Sequence, residues 1–148
     1  MTFAFHNPQP LKVLIADDHD LFASSLAELF SWYPDLNVVG RAADGAEAVL
    51  LASRLQPDVV VMDVNMPCFD GIVATRQITR SLERTRVVVL SALTDAETAF
   101  RARLAGATVY LLKGCPVEDL IAAVRADGSR SDRLELLERL PAATAIAH

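Results

Sequence analysis

Three short apolar runs, each ending on a charged residue, constrain this chain more than anything else in it. Leu11-Lys12-Val13-Leu14-Ile15-Ala16 runs into Asp17-Asp18, Val59-Val60-Val61-Met62 into Asp63, and Val109-Tyr110-Leu111-Leu112 into Lys113. The runs are short, branched and nearly free of charge. That pattern suits strands buried on both faces, in a parallel sheet covered by helices, and not the alternation of a half-wet antiparallel sheet. In doubly wound sheets, ligands bind beyond the carboxyl ends of the strands. The three carboxylates and one ammonium are therefore expected to gather at one sheet edge, a combination suited to a hard divalent cation and a phosphoryl group.

A chain of 148 residues suits one domain and can fold without disulfide or metal staples. Its 14 Lys and Arg against 19 Asp and Glu leave a net charge of -5, which argues against a binder of the nucleic-acid backbone. No apolar stretch approaches the roughly 18 residues of a membrane span, and the first ten residues have neither a basic start nor an apolar signal core. The expected location is the cytoplasm. Only Cys68 and Cys115 occur, without metal-ligand spacing, so neither a disulfide framework nor a zinc site is expected. Both follow shortly after candidate site residues, which leaves redox coupling as a minor reading. His6, His19 and His148 are scattered and read as surface residues with no second ligand beside them.

Residues 1–10 read as a flexible arm. Asp20 is placed to cap a helix through about Trp32, with Leu21, Ser25, Leu29 and Trp32 at helical spacing and Pro34 ending it. A strand near 36–42 and a helix over 46–55 follow, the helix stopping before Pro57. After strand 58–62 comes the loop Asn65 to Gly71, then a helix from Ile72 to Leu82 with Ile72, Ile78 and Leu82 inward. Strand Arg86 to Leu90 ends at Ser91-Ala92. Thr94 with Glu97 offers a capping box for a helix to about Leu104, closed by Gly106. Strand 108–112 reaches Lys113, and a last helix opens at Pro116 with Leu120, Ile121 and Val124 on its apolar face. Five strands thus alternate with five helices. Ser131 to Leu140 carries a short apolar face of Leu134, Leu137 and Leu140, and residues 128–148 read as a linker or short helix.

Over residues 11–127 these motifs resemble the receiver domain of bacterial two-component response regulators. The resemblance rests on Asp17-Asp18, on Pro57-Asp58-Val59-Val60-Val61-Met62-Asp63-Val64-Asn65-Met66-Pro67 followed by Asp70-Gly71, on Ser91-Ala92, and on Ala105-Gly106-Ala107 leading to Tyr110-Leu111-Leu112-Lys113. The Tyr-Leu-Leu-Lys ending and Pro116-Val117-Glu118-Asp119-Leu120-Ile121 resemble the NarL/FixJ branch, whose members usually carry a DNA-binding helix-turn-helix domain after the receiver. No such output domain is expected within these residues, so DNA binding is implied only for a longer parent protein.

The resemblance implies an α/β fold: a doubly wound, flavodoxin-like (βα)5 architecture with five parallel strands in the order 2-1-3-4-5. It also implies a signalling switch and not a turnover enzyme. A sensor histidine kinase would donate a phosphoryl group to Asp63. Mg2+ would be held by Asp18 directly, Asp17 mainly through water, Asp63, and the main-chain carbonyl of Asn65. Lys113 would neutralise a phosphate oxygen, Ser91 would hydrogen-bond the phosphoryl group, and Tyr110 would be the partner aromatic of the switch. A homodimer is a further expectation. Cys68-Phe69, Val109 and Gly114 depart from the usual pattern, and many relatives place proline where Gly114 stands.

Two other readings compete. A phosphohydrolase of the haloacid-dehalogenase type also uses a strand-end aspartate, but needs a second aspartate two positions later, where Asn65 stands. A phosphorylation-independent interaction module would keep the fold without using Asp63.

Overall fold

A computed structural model describes residues 9–66 and 70–126. Residues 1–8 of the expected arm with His6, Cys68-Phe69 within the loop after Asp63, and the tail with Leu134, Leu137, Leu140 and His148 lie outside the described residues.

The elements alternate as the apolar runs require: β1 Leu11–Ala16, α1 Asp20–Ser31, β2 Leu36–Ala42, α2 Gly45–Leu55, β3 Val59–Met62, α3 Gly71–Ser81, β4 Arg86–Ser91, α4 Ala96–Leu104, β5 Val109–Leu112 and α5 Val117–Arg125. The five strands form one sheet in the order β2-β1-β3-β4-β5, and every neighbouring pair is parallel. This is the doubly wound, flavodoxin-like arrangement, with β1 and β3 adjacent at its centre.

Successive side chains of a strand point to opposite faces, so a sheet covered on both sides needs apolar residues at every position. The two cores divide accordingly. Leu14, Val60, Met62, Val87, Val89 and Tyr110 face α2, α3 and α4. Val13, Ile15, Val61, Val88, Leu90 and Leu111 face α1 and α5. The runs that looked featureless in the sequence are two interleaved sets, each packed against its own layer of helices.

Several expected details differ. The inward face of α1 is Ala23, Leu26 and Phe30, while Leu21 is 84% exposed and Trp32 75%. Both sets have helical spacing, and small Ala23 is what lets α1 approach the sheet. Asp20 is the first residue of α1 and not its cap; His19 takes the cap position without a side-chain bond to the helix. The capping pair of α4 is Asp95 with Thr98, whose amide donates to Asp95 Oδ2 at 3.0 Å, and not Thr94 with Glu97. Pro116 stands at the cap of α5, immediately before its first turn.

The exposure difference on α1 has a direct energetic consequence. Phe30→Ala should destabilise the protein by about 3–5 kcal/mol, whereas Leu21→Ala should fall within about 0.5 kcal/mol of the parent. Urea denaturation of the two variants checks this; similar losses from both would mean that the apolar face of α1 had been misassigned.

Candidate functional site

The carboxyl ends of β1, β3 and β5 meet at one edge of the sheet. Parallel pairing sets this meeting: Ala16 lies opposite Met62, and the Asp63 amide donates to the Ala16 carbonyl at 2.9 Å. The Asp17 amide donates to Ala42 at the same distance. Lys113 is tied in through its own amide, which donates to the Ser91 carbonyl at 2.8 Å.

These backbone anchors bring the charged side chains together. Lys113 Nζ lies 2.7 Å from Asp17 Oδ2 and 3.4 Å from Asp63 Oδ2, bridging two carboxylates that are themselves buried. Its ammonium also sits 4.4 Å from the centre of the Phe22 ring, a cation–π contact from the first turn of α1. The Asp63 carboxylate accepts from the Asn65 amide at 3.2 Å. Burial is the strongest influence on Asp63 and raises its pKa; the Asn65 amide and Lys113 pull it down without reversing the direction.

Gly71 explains how tightly this edge is built. A Cβ at that position would lie 2.6 Å from the Val64 Cα and would overlap the Asp63 carbonyl, so only glycine lets α3 begin against the backbone of Asp63. The Gly71 amide donates to Val64 at 3.1 Å, and the Asp70 side chain caps the helix through Val73. Gly114 answers a separate need: its φ of 96° lies in the left-handed region, which proline cannot adopt.

Ser91 and Tyr110 stand beside the acidic group, on β4 and β5. Ser91 is fully buried, and its Oγ accepts from the Leu93 amide at 3.1 Å. Tyr110 is 1% exposed, and its hydroxyl donates to the Leu93 carbonyl at 2.6 Å. The aromatic ring is thus turned inward and fastens the β4–α4 loop. Burial raises the Tyr110 pKa, with the Ser91 hydroxyl acting in the opposite direction.

One residue read from the sequence as surface belongs to the site. His19 Nδ1 lies 3.1 Å from Asp17 Oδ1, 3.3 Å from Asp18 Oδ1 and 4.0 Å from Asp63 Oδ2. The available signal was adjacency to the acidic pair, since the first residue past a strand-end turn can fold back over it. One donor atom from each of Asp17, Asp18, His19 and Asp63 falls within 4.8 Å of the others, a spread one metal ion can bridge. The carboxylate oxygens suit a hard cation, and the Lys113 ammonium already bridges two of them as a positive charge. Cys115 is half-buried and its thiol is pushed up by burial, so it is poorly suited to thiolate redox chemistry.

Comparison with known proteins agrees with this geometry. Residues 13–125 match the family described as the response regulator receiver domain. The chain is 39% identical over 125 residues to the transcriptional regulatory protein LiaR of Bacillus subtilis, covering 84% of this chain and 59% of LiaR. It is 39% identical over 115 residues to the response regulator GacA of Pseudomonas aeruginosa, covering 78% and 54%. It therefore spans little more than half the length of these relatives. Among solved structures, the signal receiver domain of NarL from Mycobacterium tuberculosis superposes with a TM-score of 0.73 at 33% identity, covering 80% of this chain and 98% of that one. A chain of the CheX–CheY complex with BeF3 and magnesium from Borrelia burgdorferi gives 0.73 at 29% identity, covering 78% of this chain and 87% of that one.

The raised pKa of Asp63 predicts a pH-dependent stability. A carboxyl that holds its proton more tightly when folded than when unfolded costs stability once ionised. That cost grows as pH rises from the ordinary value of 3.8 through the higher folded value, and then stays constant. Asp63→Asn should therefore raise Tm at pH 7 by about 3 °C or more, with the gain fading as pH falls to 3.8 and below. Magnesium should raise the Tm of the parent protein and do so less in the variant. Thermal melts across pH, with and without magnesium, check both statements; a variant that melts below its parent at neutral pH would contradict them.

Proposed function

The chain belongs to the response regulator receiver domain family, and from that membership we propose that it is a phosphorylation-dependent switch whose phosphoacceptor is Asp63. Receiver domains of this kind are signalling switches that work with sensor histidine kinases. The observation that carries the proposal is the bridging of Asp17 Oδ2 and Asp63 Oδ2 by Lys113 Nζ, at 2.7 and 3.4 Å. It joins the ends of three strands in one pocket.

Phosphoryl transfer asks little covalent chemistry of a protein beyond an in-line nucleophile and compensation for charge on the equatorial oxygens. An Asp63 carboxylate oxygen attacks the phosphorus of the kinase's phosphohistidine, the P–N bond breaks, and an acyl phosphate forms on Asp63. Lys113 is within reach of both the nucleophile and Asp17, so its ammonium can pass from a carboxylate oxygen to a phosphate oxygen. A Mg2+ ion, held by Asp17, Asp18, Asp63 and the main-chain carbonyl of Asn65, would supply the remaining charge compensation. The donor set supports that ion, being dominated by carboxylate oxygens.

The new phosphoryl group carries roughly -1.5 to -2 charge. Ser91 is the hydroxyl donor that would turn to it, giving up the Leu93 amide that it now engages. The Tyr110 hydroxyl holds the neighbouring Leu93 carbonyl, so the β4–α4 loop is positioned to report the change. The output follows as a conformational or oligomeric change, including a homodimer, and as control of transcription where a DNA-binding domain follows in a longer parent protein. LiaR, a relative named as a transcriptional regulatory protein, supports that last step. The proposed location is the cytoplasm, in keeping with a described region in which no helix is long and apolar enough to cross a membrane.

Acetyl phosphate with magnesium should label the chain once, at Asp63, as read by intact mass and mapping of the modified peptide. Asp63→Asn should take no label, and Lys113→Ala should label on the order of 100-fold more slowly. Labelling at another residue, or none, would overturn the proposal and favour a phosphorylation-independent interaction module.

A further inference from the structure

We infer that His19 is a nitrogen ligand to the divalent ion of this site, and that it biases the site toward late first-row transition cations over magnesium; the inference rests on the divalent-cation site proposed above. His19 is the first residue past the acidic pair. Its amide donates to Asp17 Oδ1 at 2.8 Å, a tight turn that folds the chain back on the carboxylates. The ring follows the turn. Although His19 occupies the cap position of α1, its side chain makes no capping bond, and Nδ1 faces three carboxylates at 3.1, 3.3 and 4.0 Å.

Those separations have the spacing of donors around a common ion. At metal–ligand distances of about 2.1 Å, neighbouring ligands of an octahedron stand about 3.0 Å apart and opposite ones about 4.2 Å. Asp17 Oδ1, Asp18 Oδ1 and Asp63 Oδ2 stand at separations from Nδ1 that one ion could bridge, and one donor atom from each of the four residues lies within 4.8 Å of the others. The two oxygens of Asp17 divide their work: Oδ2 is engaged by Lys113 at 2.7 Å, while Oδ1 faces the imidazole. Lys113 therefore leaves Asp17 Oδ1 to the His19 side of the pocket, while it shares Asp63 Oδ2 at 3.4 Å. The rest of the ring is exposed, the side chain being 64% accessible; Nδ1 now hydrogen-bonds Asp17 Oδ1 at 3.1 Å, and an entering ion would take the place of the Nδ1 proton, with the ring's remaining N–H at Nε2.

Magnesium prefers oxygen ligands and keeps several waters, and so gains little from the imidazole. Nickel and cobalt bind imidazole well, and affinities at mixed N/O sites rise along the series from manganese to copper. An imidazole among carboxylates thus separates the two classes of ion through donor type.

The test is titration of the full chain with Ni2+ and with Mg2+ by calorimetry, together with pulsed EPR of the Mn2+-loaded protein to detect nitrogen coupling. His19→Ala should weaken Ni2+ binding by about tenfold or more, should weaken Mg2+ binding far less, and should abolish coupling from an imidazole nitrogen. A double variant, His6→Asn with His148→Asn, should keep the parent's Ni2+ affinity and nitrogen signal. Equal losses for Ni2+ and Mg2+ in His19→Ala would mean that His19 merely positions Asp17, and would overturn the inference. So would nitrogen coupling that survives His19→Ala, or that is absent from the parent. Labelling of the parent by acetyl phosphate in magnesium separates the two proposals: a labelled Asp63 without a nitrogen signal defeats only the role of His19, and a nitrogen signal without label defeats only the phosphoacceptor.

Discussion

Carboxylates buried together at the ends of adjacent strands repel one another, and the placement of Lys113 makes the arrangement tenable. Two unit charges about 5 Å apart cost about 3 kcal/mol at an effective dielectric of 20, a large share of the stability of a small domain. Lys113 offsets part of this by bridging Asp17 and Asp63, with its position fixed by the Ser91 carbonyl at its amide and by the Phe22 ring at its ammonium. What Lys113 does not offset is the burial itself, which raises the pKa of Asp63. A pocket held in that condition favours any cation or phosphoryl chemistry that redistributes its charge, which is the physical basis for reading it as a switch.

Much of this was legible in the sequence because the constraints are local and repetitive. A strand covered on both faces must be apolar throughout, so Val59 to Met62 could hardly be anything else, and the charged residue after each run marked the edge where a ligand would sit. The order of the strands came from family resemblance and agrees with the sheet found. The errors have a common cause, which is competition between equivalent local patterns. Leu21, Ser25, Leu29 and Trp32 have the same helical spacing as Ala23, Leu26 and Phe30, and only docking on the sheet decides which set is inside. Thr94 with Glu97 and Asp95 with Thr98 are overlapping caps one residue apart, and the structure uses the second. His19 could be suspected only from its adjacency to the acidic pair, because its placement depends on the turn after Asp17, which no periodicity encodes.

The site has a tight side and a looser side. On the looser side, Ser91 and Tyr110 reach the β4–α4 loop through single hydrogen bonds to the backbone of Leu93. Such bonds contribute about 1 kcal/mol each and can be exchanged for others at little net cost. On the tight side, the start of α3 is pressed against the peptide group of Asp63, with no space for even one methyl group at position 71.

That close approach divides the molecule mechanically. With no slack between Gly71 and the Asp63 carbonyl, the start of α3 is a buttress seated directly on the backbone of Asp63. A displacement arising at Asp63 would therefore meet a stiff neighbour in α3 and a more yielding one in the β4–α4 loop. The absence of a single side chain at position 71 decides which side of this pocket is stiff.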